Sequence, residues 1–565
     1  MNQFTYIFAF ILLFAFSGNS TAQSVYHKVW LLDKQSSYDI SRPGEFLSAK
    51  SVERRLLQQI PLSESDMPIS PDYLEDIRST GSEIVYKSKW LNLVIVKTNN
   101  KSFQDLIKEK PYVKSVESAD YLFNEHRATK NKPHFDKENI VKLPNRVTRS
   151  KSQKSSDVFN YGASANQVEM IGINHLHALG YTGAGMVIGV IDAGFNSVNI
   201  HSAFDSIRLN GQILGTHDFV EPGNDVYATT MNSHGTRVLS TMGGHLPGQL
   251  IGTAPKASYW LLRSEDARSE YLMEEYFWVN AAEFADSVGV DIINSSLGYS
   301  IFDNPLENHT YADMDGNTTV VTIGADMAAA KGILVVNSAG NSGGDNNPWR
   351  YITAPADGDS VFTIGAVNSI GQRANFSSQG PTYDGRTKPD VSAQGVATVT
   401  AILPTGIAGG DGTSFSSPLI AGAAACLWQA NSTFSNMDLI DAIRSSASKA
   451  NSPDNYLGWG IPNFLVANNI LTSSLIQTAN PVKNLKVFPN PFTERLNIEM
   501  DLPVSSKLDI SIINSQGKLV AGLKSVELAA GKNFIVLNDL GKLPKGIYML
   551  QVTDGFSVAT SKVIH

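Results

Sequence analysis

Cysteine is almost missing from this chain: 565 residues contain one, Cys426. No disulfide can form within it, so stability outside the cell must come from a packed core or bound ions. Charge is also sparse. Charged residues are 17% against 42% apolar, which excludes a disordered, solvating chain. An excess of positive charge is absent, since the net charge is −8, and this argues against a general nucleic-acid binder. Long apolar runs are lacking apart from Ile7 to Phe16, which is shorter than the about 20 residues that span a bilayer. Followed by Ser20-Thr21-Ala22, that run reads as a secretory signal over residues 1–22, although Met1-Asn2-Gln3 has no Lys or Arg.

The charge that is present is unevenly placed. Residues 24–156 hold 23 Lys+Arg against 17 Asp+Glu, and the remainder holds 22 against 36. A basic N-terminal segment beside an acidic body suggests two parts that attract each other. Glu83–Tyr86 and Asn92–Val96 read as strands and Ser102–Lys110 as a short helix with Ser102 at its cap, so this segment is expected to be a small α+β unit. From Glu125 to Ser156 the composition is that of an exposed, protease-sensitive linker, with Arg146, Arg149, Lys151 and Lys154 among serines.

From 160 to 470 apolar strands alternate with helical stretches. Expected strands are Val187–Ile191, Ser258–Leu262, Asp291–Asn294, Ile333–Val336 and Val361–Ala366; expected helices are Glu274–Val288, Ala325–Lys331 and Ser414–Gln429. Such alternation argues for a parallel sheet covered by helices on both faces. Within it stand four motifs at element ends. Val187-Ile188-Gly189-Val190-Ile191-Asp192 is a strand ending in a carboxylate, and Ser233-His234-Gly235-Thr236 is a histidine entering a helix. Asn337-Ser338-Ala339-Gly340-Asn341 ends a strand in an asparagine, and Gly412-Thr413-Ser414 places a serine before a helix of small apolar residues.

This ordered set resembles the subtilisin-type serine proteases, over roughly residues 160 to 470. The resemblance implies Ser414 as nucleophile, His234 as general base, Asp192 as the group orienting His234, and Asn341 as oxyanion donor. It implies Ser296, Leu297 and Gly298 as a strand that pairs with the substrate backbone. Family members typically carry an N-terminal propeptide that blocks the cleft, a role the basic segment fits. No cofactor is implied for the chemistry; a structural Ca²⁺ is compatible with the family, and no residues are assigned to it. Asp313-Met314-Asp315-Gly316-Asn317 is not an EF-hand, because Gly324 stands where the bidentate Glu belongs. Three departures stand near the cleft: Ala193, Phe415 and Gln394 replace residue types the family more often has.

Beyond about 471 the character changes again. Thr472 to Asn484 reads as a polar linker, followed by short strands at Asn497–Met500, Leu508–Ile513, Asn533–Leu537 and Ile547–Val552, the pattern of an all-β sandwich. Val487-Phe488-Pro489-Asn490-Pro491-Phe492 and Leu543-Pro544-Lys545-Gly546-Ile547-Tyr548 are similar to the type A sorting domain of the type IX secretion system of Bacteroidota. The expected organisation is a signal (1–22), propeptide and basic linker (23–156), peptidase domain (157–471), linker (472–484) and sorting domain (485–565). The expected protein is a secreted or cell-surface serine endopeptidase, exported through the periplasm. It is expected to act as a monomer on protein or peptide substrates, with its own propeptide as inhibitor, the secretion machinery as partner and no nucleic acid. The rival is a catalytically silent surface protein that reuses the fold for binding or adhesion.

Overall fold

The structure is a computed structural model that describes residues 25–35, 37–123, 140–141, 158–344, 347–478, 482–514, 518–554 and 558–565. The expected signal segment and the basic linker, apart from Ile140 and Val141, lie outside those residues.

The basic N-terminal segment folds as an antiparallel sheet of β1 (Val25–Leu31), β2 (Glu83–Ser88), β3 (Leu93–Thr98) and β4 (Val113–Ser118), in the order β2-β3-β1-β4. Helices α1 (Ala49–Leu57), α2 (Pro71–Ser79) and α3 (Phe103–Lys108) accompany it. The run Leu93-Val94-Ile95-Val96 is apolar throughout because both faces of β3 are covered. Val94 and Val96 pack on Leu74, Ile77, Phe103 and Ile107 of the segment's own helices. Leu93 and Ile95 pack with Met273 and Tyr276 of the following domain. Ser102 does sit at the cap of α3, but its hydroxyl makes no cap bond; its own N–H donates to Asn100 Oδ1 at 3.0 Å.

Seven parallel strands form the central sheet. They are β5 (Val187–Asp192), β6 (Ile213–Asp218), β7 (Ser258–Arg263), β8 (Ile292–Ser295), β9 (Leu334–Ser338), β10 (Phe362–Val367) and β11 (Val391–Gln394). Their order is β11-β10-β9-β8-β5-β7-β6. Alternate side chains of β5 enter different cores. Ile188 and Val190 join α4 (His234–Gly243) and α7 (Thr413–Ala430) on one face. Val187 and Ile191 join α5 (Met273–Val288) and α6 (Val320–Ala330) on the other. Burial on both faces is why inner strands such as β5, β8 and β9 are rich in apolar residues, whereas the edge strand β6 is mostly not buried and mixes polar residues in. After β7 the chain crosses to place β8 on the free side of β5, so the strand order reverses there. The crevice beyond such a reversal, at the carboxyl ends of the strands, is where open α/β sheets bind ligands.

α6 begins five residues before its expected start, because Thr319 accepts the Thr322 N–H at its N-terminus. The Asp313–Asn317 stretch is a turn: Asp315 Oδ1 accepts the N–H groups of Asn317 and Thr318. Cys426 is fully buried in α7, as expected of a small core residue.

The C-terminal region holds two antiparallel sheets of three and four strands around one core, where Leu496, Ile498 and Met500 meet Leu508, Ile510 and Leu550. Strands Lys483–Phe488, Leu519–Leu528 and Val558–Ile564 add to those expected; they bury few side chains, so their alternation is faint. The expected linker Thr472–Asn484 needs correction. The helix Phe464–Thr478 runs through its first half and the strand Lys483–Phe488 begins before its end. The apolar spacing of Phe464, Ala467 and Leu471, all buried, carries the helix past the polar residues that suggested a linker. Among the described residues no helix is long and apolar enough to cross a membrane.

Candidate active site

Asp192 ends β5 beside the strand reversal and is fully buried. Its Oδ1 accepts the N–H of Ala193 at 2.8 Å and pairs with His234 Nδ1 at 2.7 Å. Ala193 therefore contributes through its backbone where a hydroxyl-bearing residue would add a side-chain bond. His234 opens α4, and its backbone N–H donates to Asn232 Oδ1 at 2.7 Å. The positive end of that helix disfavours an imidazolium, and the adjacent buried carboxylate offsets this. Close approach depends on Gly235. A Cβ there would lie 2.5 Å from Gly194 O and 2.8 Å from the Phe195 ring, so any side chain would push the first turn of α4 away from β5.

Ser414 is the second residue of α7 and 8% exposed, with its hydroxyl 3.4 Å from Ser296 O. Pro418, four residues later, has no N–H to give the Ser414 carbonyl. The Ser296 hydroxyl donates to that carbonyl instead, at 2.9 Å. Asn341, beyond the end of β9, has its Oδ1 occupied by two donors from Thr413, the N–H and the hydroxyl, each at 2.9 Å. With both donors on the oxygen, the amide Nδ2 is the end left to face the cleft. Thr413 in turn accepts the Gly340 N–H at 3.2 Å.

Thr413 was not among the residues the sequence singled out. In Gly-Thr-Ser before a helix a threonine reads as an ordinary cap, and its contact with Asn341 spans 72 positions. Thr413→Val keeps the shape and removes the hydroxyl. It is expected to lower kcat by about tenfold with KM nearly unchanged, the size of one lost hydrogen bond. Steady-state kinetics on a peptide substrate check this.

One cleft is lined by His234, Asn341, Ser414 and the stretch Ser296, Leu297 and Gly298. The structure thus brings the expected residues together, with Asp192 behind His234. Leu297 O accepts Asn337 Nδ2 at 3.1 Å, which fixes the edge of the cleft from below. Gly298 must be glycine, since a Cβ would fall 2.1 Å from Thr353 Oγ1. Phe415 is buried, its ring 6.1 Å from that of His234 and 4.6 Å from the Arg237 guanidinium. Gln394 is tied into its surroundings by Asn166 Nδ2 at 2.7 Å. Glu265, Glu270 and Thr353 also line the cleft, and nothing in the sequence pattern pointed to them. The arrangement offers a hydroxyl, an imidazole held by a carboxylate and a side-chain amide donor, the parts that acyl transfer needs.

Residues 183–460 match the subtilase family. Subtilisin of Bacillus pumilus is 32% identical over 295 residues, 52% of this chain and 94% of the relative. The chain belongs to the subtilase family. Subtilisin E of Bacillus subtilis (strain 168) is also 32% identical over 295 residues, covering 52% of this chain and 68% of the relative. A thermophilic serine proteinase of Bacillus sp. (strain AK1) is 29% identical over 279 residues, 49% of this chain and 60% of that protein. Outside the peptidase region, residues 26–134 match the peptidase S8 propeptide domain of Bacteroidota and residues 486–565 the secretion system C-terminal sorting domain. This subtilase is a serine endopeptidase with a propeptide domain. Its sorting domain marks a secreted or cell-surface protein that passes through the periplasm.

Proposed function

We propose that this subtilase hydrolyses peptide bonds through an acyl-enzyme on Ser414. The Ser414 oxygen attacks the scissile carbonyl carbon while His234 takes its proton, and Asp192 holds the imidazole in the useful tautomer and stabilises the resulting imidazolium. Charge developing on the carbonyl oxygen is met by Asn341 Nδ2 and the Ser414 N–H. The carbon–nitrogen bond breaks as His234 passes the proton to the leaving amine, and water, activated by the same imidazole, releases the acid. Ser296, Leu297 and Gly298 pair with the extended substrate backbone. The observation that carries this reading is the Asp192–His234 pair reaching the cleft that Ser414 and Asn341 line.

No cofactor takes part, and a Ca²⁺, where present, serves stability alone. The enzyme acts as a monomer on protein or peptide substrates. Its own propeptide inhibits it within the same chain, and the type IX machinery is its partner in export. The working unit runs from 157 through the helix Phe464–Thr478, following the signal (1–22) and the propeptide with its linker (23–156), and the sorting domain opens with the strand Lys483–Phe488.

Labelling the mature secreted protein with a fluorophosphonate, followed by peptide mass spectrometry, tests the assignment. The label is expected on Ser414. A folded wild-type protein that takes no label moves the binding or adhesion reading ahead. Asn341→Ala is expected to lower kcat by about 10²- to 10³-fold, the loss that subtilisin's own oxyanion asparagine carries, with a far smaller change in KM. A defect confined to KM would make Asn341 a turn residue.

A further inference from the structure

The cleft carries a hydroxyl that the chemistry above leaves unused. Thr353 lines it and is 1% exposed, and its Oγ1 has no hydrogen-bond partner among the described residues. A buried hydroxyl without a partner costs free energy, and an incoming group that can donate or accept recovers it. The backbone is held on both sides of this residue. The Ile352 N–H donates to Gln379 O at 3.0 Å, and Ala354 exchanges two backbone bonds with Tyr299, at 2.8 and 3.1 Å. The hydroxyl thus stands on a fixed support.

Two glycines bring that hydroxyl next to the reacting groups. A Cβ on Gly298 would fall 2.1 Å from Thr353 Oγ1, and one on Gly340 would fall 3.2 Å from it. Gly298 ends the stretch that pairs with the substrate backbone, and Gly340 precedes the oxyanion donor Asn341. The Gly340 N–H is bound to Thr413, the neighbour of Ser414, at 3.2 Å. The substrate residue whose carbonyl is attacked must meet both segments. Its oxygen turns to Asn341 while its backbone follows Ser296 to Gly298. Its side chain is therefore the one that enters the slot between them, where Thr353 stands.

The slot is small. The cleft encloses about 40 Å³, against about 570 Å³ and 590 Å³ for two grooves elsewhere on the molecule. Leu297 is the only apolar side chain in its lining among the described residues. A long aliphatic or aromatic side chain finds neither room nor apolar walls there. A short, neutral side chain that hydrogen-bonds suits both the space and the hydroxyl.

We infer that Thr353 selects Ser, Thr or Asn on the substrate residue that supplies the scissile carbonyl. The inference rests on the reading of Ser414 as nucleophile. Its test uses mature enzyme titrated with a fluorophosphonate, so that rates are per active site. Peptides differ at that one residue, with Thr against Val and Asn against Leu as pairs of similar shape, and with Phe and Arg. Mass spectrometry locates the cut. The Thr-to-Val and Asn-to-Leu ratios of kcat/KM are each expected to be about 10, the size of one hydrogen bond. Thr353→Val keeps the shape and removes the hydroxyl, and is expected to bring both ratios close to unity. Thr353→Ser keeps the hydroxyl and should retain them.

Titratable wild-type enzyme with both ratios near unity overturns the inference and leaves the nucleophile standing, and this result needs no variant to fold. Ratios that survive Thr353→Val in titratable enzyme overturn it too. A stronger preference for Arg than for Asn, unchanged by Thr353→Val, would give the slot to Glu265 and Glu270 and also overturn it. Protein that takes no label overturns the subsite together with the nucleophile.

Discussion

Ser414→Ala is expected to abolish fluorophosphonate labelling and to lower peptide hydrolysis by on the order of 10⁶-fold, the size of loss subtilisin itself shows. The fold should survive. The Ser414 hydroxyl contributes one long 3.4 Å contact, whereas the Ser414 carbonyl, which the substitution keeps, takes the stronger 2.9 Å bond from Ser296. Because nucleophile and base act as a unit, His234→Ala should cost about as much, and the double variant little more than either. Single-turnover kinetics on all three, with circular dichroism as the fold control, check this. Roughly multiplicative losses would mean that His234 and Ser414 act separately.

The second large effect concerns the seam between propeptide and peptidase. Asp286 on α5 is fully buried and pairs with both Arg54 and Arg55 of α1, while Asp66 bridges Arg55 at 2.7 Å and Lys331 at 2.8 Å. Arg54 also donates to the Lys331 carbonyl at 3.1 Å. Removing one member of such a network strands buried charge and costs about 3–5 kcal/mol. In the uncut Ser414→Ala chain, Asp286→Ala is therefore expected to speed amide exchange of α1 by about 10²- to 10³-fold. Exchange in α1 that stays as slow as before would show that the apolar contacts alone hold the seam.

Acid should loosen the same seam. Burial raises the Asp66 carboxyl, but Lys331 and Arg55 more than offset this and hold it down to about 2. A depressed carboxylate stabilises fully above its ordinary value near 3.8, and that contribution is lost as the pH falls towards about 2. The protection factor of α1, taken against the intrinsic amide exchange rate at each pH, should accordingly fall between those limits and stay flat above them.

The groups proposed to react were legible in the sequence because acyl transfer needs particular residue types, and the sheet delivers them at element ends. Asp192, His234, Asn341 and Ser414 each stand where a strand stops or a helix starts. Five of the seven central strands were equally legible, being apolar and buried; the partly exposed edge strand Ile213–Asp218 and the short Val391-Ser392-Ala393-Gln394 carry no apolar run and went unread. What stayed hidden was whatever depends on distant partners. Asp286 meets Arg54 across 232 positions, and Thr413 reads as a cap until Asn341 is placed beside it. Glu265 and Glu270 lie in an irregular stretch after β7, where no periodicity marks a side chain as facing the cleft. Edge strands such as Val558–Ile564 bury Ala559 and Val563 and little else, so their alternation is too weak to stand out.

Under the proposed inhibitory role of the propeptide, the two-sided burial of β3 would make activation run in one direction. While the propeptide is docked, Leu93 and Ile95 are shielded by Met273 and Tyr276. Were the segment cut free, a four-stranded sheet with one bare apolar face would be left in water, too small to hold its fold against digestion. On the proposed reading of this segment as the inhibitor, each departing copy would become a substrate and could not be recaptured. The apolar face of β3 would then act as a ratchet on the timing of the protease.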